Sequence, residues 1–309
     1  MSALHIVVVG SINMDLVARM ARLPRPGETV HGRDFQTIPG GKGANQAVAV
    51  ARLGVRVTLI GRVGEDSFGE TLLRSLAEYG VATEQILVTP QCSSGVALIG
   101  VDDDGANSIT VVAGANGQLT ARDIESRAEI IQSADALIVQ LETPLDTVAA
   151  ALRIAKAAGV RTILDPAPAP SSPLPPEVMA VDVISPNQTE AELLTGIVVD
   201  DLASAERAAR RLQALGAREV ALKLGHWGAM LCDAEGRVEH VSAVEVEVVD
   251  TTAAGDAFTA ALAVALVEGG SLVEAVRFGS AAGTLACLTL GAQTAMPTRG
   301  QVDQFGNWW

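Results

Sequence analysis

The chain of 309 residues is long enough for one large α/β domain or two ordinary ones. Hydrophobic residues make up 49% of it and aromatic residues only 3%, which favours helices packed on a parallel sheet over an aromatic-rich β-sandwich. The formal net charge of −14 argues against a nucleic-acid partner, because contact with phosphate backbones needs clustered Lys and Arg.

Predicted strands and helices alternate along the chain. Apolar runs predict buried strands at residues 6–9, 57–60, 136–139, 162–164, 183–184 and 220–224. Ala/Leu-rich stretches predict helices at residues 44–53, 68–79, 147–158, 203–215 and 257–267. This alternation is typical of βαβ units and a parallel sheet, in which ligands bind beyond the carboxyl ends of the strands.

Two regions depart from this alternation. Residues 15–38 have few helical signals and carry several prolines and glycines, and residues 94–113 place short β runs on both sides of Asp103-Asp104-Gly105, which is a hairpin signal. We expect these regions to form a small β layer attached to the α/β core. No domain boundary is indicated, so residues 1–309 are predicted to form a single domain.

The cysteines and the apolar runs bear on the cellular location. Cys92, Cys232 and Cys287 are far apart and form no Cys-x-x-Cys spacing, so neither a zinc site nor a disulfide framework is indicated and reduced thiols are expected. The first predicted strand is followed directly by Gly10, which does not fit a signal peptide. The apolar run at 257–267 is shorter than the ~20 residues of a membrane span. We therefore predict a cytoplasmic protein with no membrane partner.

A small-residue segment near the end of the chain is the first candidate for chemistry. Valines at 244, 246, 248 and 249 predict a strand before it, and a buried helix is predicted after it. Between them, Ala253-Ala254-Gly255 leave backbone N–H groups accessible at a helix start, which is an anion site. Asp256 then lies in the first helical turn, where a base could take a proton from a hydroxyl during phosphoryl transfer. The alternative is an ordinary capped helix with Asp in its first turn.

A second glycine-rich element runs from Pro39 through Gly40-Gly41-Lys42-Gly43-Ala44 to Asn45. It matches neither a Walker A loop nor a Rossmann fingerprint. Its paired glycines allow close backbone approach to a ligand, and Lys42 and Asn45 can offer donors to hydroxyl groups. The alternative is a flexible turn before the next helix.

These two elements and several shorter motifs together resemble the PfkB carbohydrate kinases. The shorter motifs are Gly10-Ser11-Ile12-Asn13-Met14-Asp15, Pro26-Gly27-Glu28-Thr29, Gln140-Leu141-Glu142-Thr143-Pro144 and Pro186-Asn187-Gln188-Thr189-Glu190. The resemblance covers nearly the whole chain, in family order, and within the family it points to the ribose kinases. It implies a ribokinase-like three-layer α/β/α fold with a mostly parallel central sheet. It also implies a small β-sheet lid formed by segments of roughly 12–38 and 94–113.

The resemblance implies roles for residues near the two glycine-rich elements. Asp256 matches the family's catalytic base, and Ala253, Ala254 and Gly255 match the anion hole that stabilises charge on the transferred phosphoryl group. The positions that match sugar-binding residues are Asn13, Asp15, Gly41, Lys42, Asn45 and Glu142, joined by Asp256 itself. Carboxylate acceptors and amide or ammonium donors suit a ligand ringed with hydroxyls.

Nucleotide and metal positions also follow from the resemblance. ATP-binding positions are matched by Asn187, Lys223, Gly225, Gly228, Gly255 and Ser280. Glu190 matches the Mg²⁺–phosphate region, although Asn187 and Glu190 also read as a helix capping box. The monovalent-cation site is matched by Asp250, Thr252, Ala286, Thr289, Gly291 and Ala295. K⁺ is the expected activator, although Thr289, Leu290 and Ala295 depart from the residues usual in close relatives.

The resemblance thus implies ATP-dependent phosphorylation of D-ribose at O5, with Mg²⁺, in a homodimer formed through the lid. One alternative is a kinase for deoxyribose, fructose, a ketodeoxy sugar acid or a nucleoside. A nucleoside needs an apolar wall for its base, and the chain has only 5 Phe, 3 Trp and 1 Tyr. The other alternative is a non-catalytic sugar-binding protein of the same fold, which would have no need of the Asp256 base.

Overall fold

Strands and helices alternate through residues 3–306, the part of the chain that the computed structural model describes. The strands are His5–Val9 (β1), Asn13–Met20 (β2), Gly32–Gly40 (β3), Arg56–Gly64 (β4), Ile86–Thr89 (β5), Gly95–Val101 (β6), Asn107–Val112 (β7), Ala136–Val139 (β8), Arg161–Leu164 (β9), Val183–Ile184 (β10), Glu219–Lys223 (β11), Ala229–Cys232 (β12) and Val238–Val241 (β13). Trp308 and Trp309, to which the sequence assigns no role, lie outside the described residues.

The helices carry the chain from one strand to the next over both faces of the sheet. They are Lys42–Arg52 (α1), Ser67–Glu78 (α2), Ala121–Glu125 (α3), Ala128–Gln132 (α4), Leu145–Ala157 (α5), Pro176–Met179 (α6), Gln188–Thr195 (α7), Leu202–Ala214 (α8), Ala254–Val267 (α9), Leu272–Ala286 (α10) and Arg299–Gly306 (α11). Within residues 3–306, no helix is both long enough and apolar enough to cross a membrane.

The large sheet has nine strands in the order β13-β12-β11-β10-β9-β8-β1-β4-β5. Its strands from β11 to β5 pair in parallel, and β12 and β13 extend it as antiparallel strands at one edge. Alternate residues of β1 enter different cores. Ile6 and Val8 pack with α1, α9 and α10, whereas Val7 and Val9 pack with α5 and α8. Helices therefore cover both faces, which confirms the predicted three-layer α/β/α fold.

A separate four-stranded sheet has the order β3-β2-β6-β7. It is built from the two regions that interrupt the helix–strand alternation. The predicted hairpin is confirmed: β6 and β7 pair antiparallel, and Gly105 in their turn has φ +80°. The Asp102 side chain accepts from the N–H groups of Asp104 and Ala106 at 3.1 and 2.9 Å, which holds the turn closed.

The predicted helices and most predicted strands are confirmed, with ends that differ by a few residues. The strand predicted from the valines at 244–249 is wrong, because residues 242–250 adopt no regular secondary structure. Val248 and Val249 are 55% and 59% exposed. The N–H groups of Val249 and Asp250 both donate to the Cys287 carbonyl, which lies at the end of α10. The segment contacts a helix end instead of a neighbouring strand, so its alternating valines have no sheet to join.

Candidate active site

A cavity of about 920 Å³ lies at the carboxyl ends of β9, β10 and β11, beside the start of α9. Parallel strands bring their last residues to one edge of the sheet, which is where open α/β folds bind ligands. The polar and charged lining residues include Lys42, Asp165, Asn187, Glu190, Lys223, Asp256 and Ser280. The Ala253-Ala254-Gly255 backbone closes one side of it.

The predicted anion site lies at the start of α9. Ala253 precedes the helix in the left-handed conformation, with φ 60° and ψ 8°, and no side chain caps the helix. The first N–H groups of a helix have no intrahelical acceptors, and the helix dipole is positive there. Of the predicted anion-hole amides, that of Ala254 also donates to the Thr251 carbonyl at 3.3 Å. A bound phosphate oxygen would therefore compete with Thr251 for this amide.

Asp256 lies in the first turn of α9 and is only 4% exposed. Its Oδ2 accepts from Asn45 Nδ2 at 2.9 Å, and its Oδ1 accepts from Gln46 Nε2 at 3.2 Å. Burial raises the pKa of Asp256 to about 6, and the nearby Asp165 carboxylate adds to this effect while Lys42 opposes it. A carboxylate with a pKa near 6 is ionised at neutral pH and is a stronger proton acceptor than an ordinary Asp.

Lys42 and Glu142 lie beside Asp256. Glu142 Oε2 accepts from the Lys42 backbone N–H at 3.2 Å and from the Ser11 hydroxyl. Burial alone would lower the pKa of the Lys42 ammonium, but the carboxylates of Asp256, Asp165, Glu142 and Glu190 raise it well above its ordinary value. Lys42 is therefore a permanently charged donor in a pocket that is otherwise rich in carboxylates.

Asp15 on β2 and Asn13 at the start of β2 complete this side of the site. Asn13 is buried, and its Oδ1 accepts from Asn116 Nδ2 at 2.7 Å. Gly41 has φ +89°, and a Cβ there would lie 2.6 Å from the Asn13 backbone nitrogen. Only glycine therefore allows α1 to start so close to β2. The structure thus brings the predicted sugar-binding residues together around Asp256.

Lys223 and Asp165 form a largely buried ion pair in the same cavity. Lys223 Nζ lies 3.1 Å from Asp165 Oδ1, and Asp165 is 1% exposed. The same ammonium lies 3.5 Å from the point where a Cβ on Gly255 would stand. The positive charge is therefore held directly beside the anion hole. A chain with a net charge of −14 needs such a local cation to accept an anionic ligand.

Asn187 and Glu190 form the predicted capping box at the start of α7. Asn187 Oδ1 accepts from the Glu190 N–H at 2.8 Å, and Glu190 Oε2 accepts from the Asn187 N–H at 2.7 Å. Glu190 is 8% exposed and lines the cavity. Burial raises the pKa of its carboxyl group, an effect that Lys223 partly offsets.

Comparison with known proteins assigns the chain to a family. The sequence profile of the pfkB family carbohydrate kinases matches residues 3–299. The chain belongs to this family. The ribokinase of Haemophilus influenzae is 42% identical over 302 residues, which cover 97% of this chain and 97% of the relative. A deoxyribokinase of Salmonella typhimurium is 35% identical and covers 98% of each chain. The solved structure of Arabidopsis thaliana ribokinase complexed with ribose and ATP is similar with a TM-score of 0.92 at 36% identity, over 98% of this chain and 99% of the other.

The loop after β11 carries Gly225 and Gly228, two of the predicted ATP-binding residues. Gly225 and Gly228 have φ +57° and +96°, and a Cβ on Gly228 would lie 2.1 Å from the Val241 carbonyl oxygen. Trp227 is partly buried and packs against the core. Ser280 Oγ is buried, faces the cavity and has no hydrogen-bond partner among the described residues. It is a free polar group for a ligand.

One buried polar residue next to Asp256 has no role in the sequence-based prediction. Gln46 is 0% exposed and contacts both Asp165 and Asp256, although only its neighbours Lys42 and Asn45 were singled out. The position of Gln46 in the sequence of α1 could have identified it as a site residue. A long polar side chain among the buried Ala and Val residues of this helix must find buried partners, because an unpaired polar group in a core is costly.

Replacing Asp15 with Asn is expected to stabilise the fold at about pH 8. Burial, with the Glu142 and Asp256 carboxylates, raises the pKa of Asp15 to about 7, whereas an unfolded Asp has a pKa of about 4. The folded chain therefore holds this proton more strongly, and folding loses stability as pH rises through this range. We expect a gain of about 1–2 kcal/mol in the free energy of unfolding at about pH 8 and little change near pH 4. Urea unfolding at both pH values measures this, and an equal gain at both would contradict the raised pKa.

Proposed function

We propose that this chain phosphorylates D-ribose at O5 with ATP, giving ribose 5-phosphate and ADP. The observation that carries the proposal is the placement of Asp256, a buried carboxylate in the first turn of α9, beside the Ala253–Gly255 amides and Lys223 in one cavity. The 42% identity to a ribokinase over nearly the full chain supports ribose as the substrate.

The proposed step moves one proton and one phosphoryl group. The sugar's O5 hydroxyl gives its proton to Asp256, and O5 forms a bond to the γ-phosphorus while the bond from that phosphorus to the ADP oxygen breaks. The amides of Ala253, Ala254 and Gly255 stabilise the charge on the transferred group. Phosphoryl transfer needs little else, because positioning and electrostatic stabilisation supply most of the catalysis.

The sugar is proposed to contact Asn13, Asp15, Gly41, Lys42, Asn45 and Glu142. Asn45 Oδ1 is buried without a hydrogen-bond partner in the described part of the chain, so it can accept from a sugar hydroxyl while Nδ2 stays on Asp256. The carboxylates accept from further hydroxyls, and Lys42 donates to a sugar oxygen.

ATP is proposed to bind along Asn187, Lys223, Gly225, Gly228, Gly255 and Ser280. Glu190 fits a Mg²⁺ site, because it is a carboxylate in the same cavity as Lys223 and the anion hole, and hard oxygen donors with retained waters suit this ion. Bound Mg²⁺ would neutralise charge on the ATP phosphates. The Lys223 ammonium is proposed to contact the same phosphates, and its hydrogen bond to Asp165 orients it.

K⁺ is proposed as an activator at a site formed by Asp250, Thr252, Ala286, Thr289, Gly291 and Ala295. Asp250 joins two of these segments, since its Oδ1 accepts from Thr252 and its Oδ2 accepts from the Gly291 N–H at 2.9 Å. Burial would raise the pKa of Asp250, but these hydrogen bonds hold it below its ordinary value. An ionised carboxylate with nearby backbone carbonyls is a suitable oxygen donor set for K⁺.

The second sheet is proposed to act as a lid on a single domain, with Gly40-Gly41 as its hinge, and to pair two chains in a homodimer. Exposed apolar side chains lie on both faces of this sheet and support an interface. They are Phe35, Leu98, Ile109, Val111 and Val112. A cytoplasmic location is part of the proposal because ATP is the phosphoryl donor.

ADP release from Mg²⁺–ATP with a panel of sugars tests the proposed function. We expect D-ribose turnover well above that of deoxyribose, fructose, a ketodeoxy sugar acid and nucleosides, and faster turnover with K⁺ than with Na⁺. Turnover of deoxyribose above ribose would favour the activity of the Salmonella relative. Sugar binding by titration, without any ADP release, would favour a non-catalytic sugar-binding protein.

A further inference from the structure

We propose that Gln46 is a positioning residue that holds the Asp256 carboxylate in place for proton transfer. The inference rests on the proposed function of Asp256 as the base. Gln46 lies on α1, and its side chain is completely buried. The hydrogen bonds of this side chain go to Asp165, Asp256 and Gln140, which lie outside its own helix.

One amide nitrogen of Gln46 joins two buried carboxylates. Nε2 donates to Asp165 Oδ2 at 2.8 Å and to Asp256 Oδ1 at 3.2 Å. A 180° flip of the Gln46 amide would break a hydrogen bond, because Gln140 Nε2 donates to Gln46 Oε1 at 2.6 Å. This contact keeps the Gln46 oxygen away from the carboxylates and points its N–H groups at them.

The two oxygens of Asp256 are therefore held from different sides of α1. Asn45 donates to Oδ2 and Gln46 donates to Oδ1, so rotation of the carboxylate would break one of these bonds. Asn45 is also a proposed sugar contact, through its Oδ1. Gln46 has no exposed surface and is not among the proposed sugar contacts, so its bond to Asp256 Oδ1 is available for positioning alone.

Gln46 also separates charges that would otherwise face each other directly. Asp256 is surrounded by Asp165 beyond β9, Glu142 beyond β8 and Asp15 on β2, with Lys42 as the nearby cation. Asp165 is itself paired with Lys223. Without the shared donor, Asp165 and Asp256 would lose a hydrogen bond each while remaining close, and Asp256 would bind a proton more readily.

Core packing alone does not require a glutamine here. Besides Gln46, α1 buries Gly43, Ala44, Asn45, Ala47, Val48, Ala49 and Val50, of which only Asn45 is polar. A buried amide costs free energy unless its polar atoms are bonded. The hydrogen bonds to Asp165 and Asp256 therefore explain why a polar residue occupies position 46.

The test is Gln46→Met, which keeps the length of the side chain and removes its donor. We expect kcat to fall by about 10–100-fold, with KM for the sugar changed by less than about 3-fold. The acid limb of the kcat profile should move to higher pH. Gln213→Met on α8 is the matched control, because Gln213 bonds to Arg218 and Asp233 far from the site, and its kcat should equal that of the parent.

A ¹³C NMR titration of the Asp256 carboxyl group gives a second measurement that needs no turnover. Its signal is identified by its loss in Asp256→Asn, and Gln46→Met should raise its pKa. If Gln46→Met does not fold, Gln140→Met takes its place, because it removes only the donor that orients the Gln46 amide. We expect Gln140→Met to lower kcat by about 3–10-fold and to move the same pKa in the same direction.

Two results would overturn the inference. One is a folded Gln46→Met protein whose kcat and Asp256 pKa match those of the parent. The other is a loss of thermal stability with equal changes in kcat and KM and no pKa change, which would make Gln46 a packing residue. A parent protein that turns over no sugar would instead refute the proposed function, and the NMR titration would still decide whether Gln46 acts on Asp256.

Discussion

Replacing Asp256 with Asn is expected to lower kcat by at least ~10³-fold, because the amide cannot accept the proton of the sugar hydroxyl. Sugar binding should weaken by less than ~5-fold, since Asn keeps the shape of the side chain and one oxygen acceptor. Steady-state ADP release gives kcat, and calorimetric titration with ribose gives the affinity. This split between turnover and binding is what distinguishes a base from a residue that only holds the sugar.

Asp303→Asn provides the matched control for this change. Asp303 lies on α11 and pairs with Arg299 on the surface, far from the cavity in sequence and in contacts. Its replacement should leave kcat unchanged. If Asp256→Asn kept near-normal kcat, the proposed base would be wrong. If it lost ribose affinity in proportion to kcat, Asp256 would be a binding residue.

The parts of the fold that were predicted from sequence depend on local patterns. The buried strand at residues 6–9 and the helix at 257–267 are continuous apolar runs bounded by glycine or small residues, and both were found. The hairpin around Asp103-Asp104-Gly105 was predicted for the same reason, because a tight turn is determined by a few adjacent residues. Asp256 was placed correctly in the first turn of α9 because the small residues before it mark a helix start.

The wrong strand at 244–249 shows the limit of such patterns. Alternating valines predict a strand only if a neighbouring strand has free backbone groups to pair with. Here β13 ends at Val241, and the following residues line the cavity and bond to the end of α10. The tertiary neighbourhood decides the outcome, and the periodicity of the segment carries no information about it.

The contacts around the base could not be derived from sequence spacing. Gln46 and Asp165 are separated by 119 residues, and Gln46 and Asp256 by 210. Their contact follows from α1, β9 and α9 meeting at one edge of the sheet, which only the folded chain shows. The Lys223–Asp165 pair is likewise a product of adjacent strand ends, β11 and β9, with β10 between them.

Replacing Gly43 with Ala is expected to destabilise the fold by about 3 kcal/mol and to lower kcat/KM for the sugar by more than ~10²-fold. A Cβ at Gly43 would stand 2.6 Å from the Gly10 carbonyl carbon and 2.7 Å from the Ser11 nitrogen, both backbone atoms. Relief of this overlap must move α1 away from the end of β1. Asn45 and Gln46 would move with the helix and leave Asp256.

Gly300→Ala is the control that makes the Gly43 result specific. Gly300 lies within α11, and a Cβ there would meet no heavy atom within 4 Å. The same substitution should therefore stabilise the chain by up to about 1 kcal/mol, as alanine normally does inside a helix. Gly43 also lies in a helix. If alanine lowers the free energy of unfolding at Gly43 and raises it at Gly300, the contact with Gly10, and not helix propensity, is the reason for glycine at position 43. Thermal unfolding and ribose turnover of both variants measure this, and a Gly43→Ala protein as stable and active as the parent would mean that α1 and β1 tolerate a wider separation.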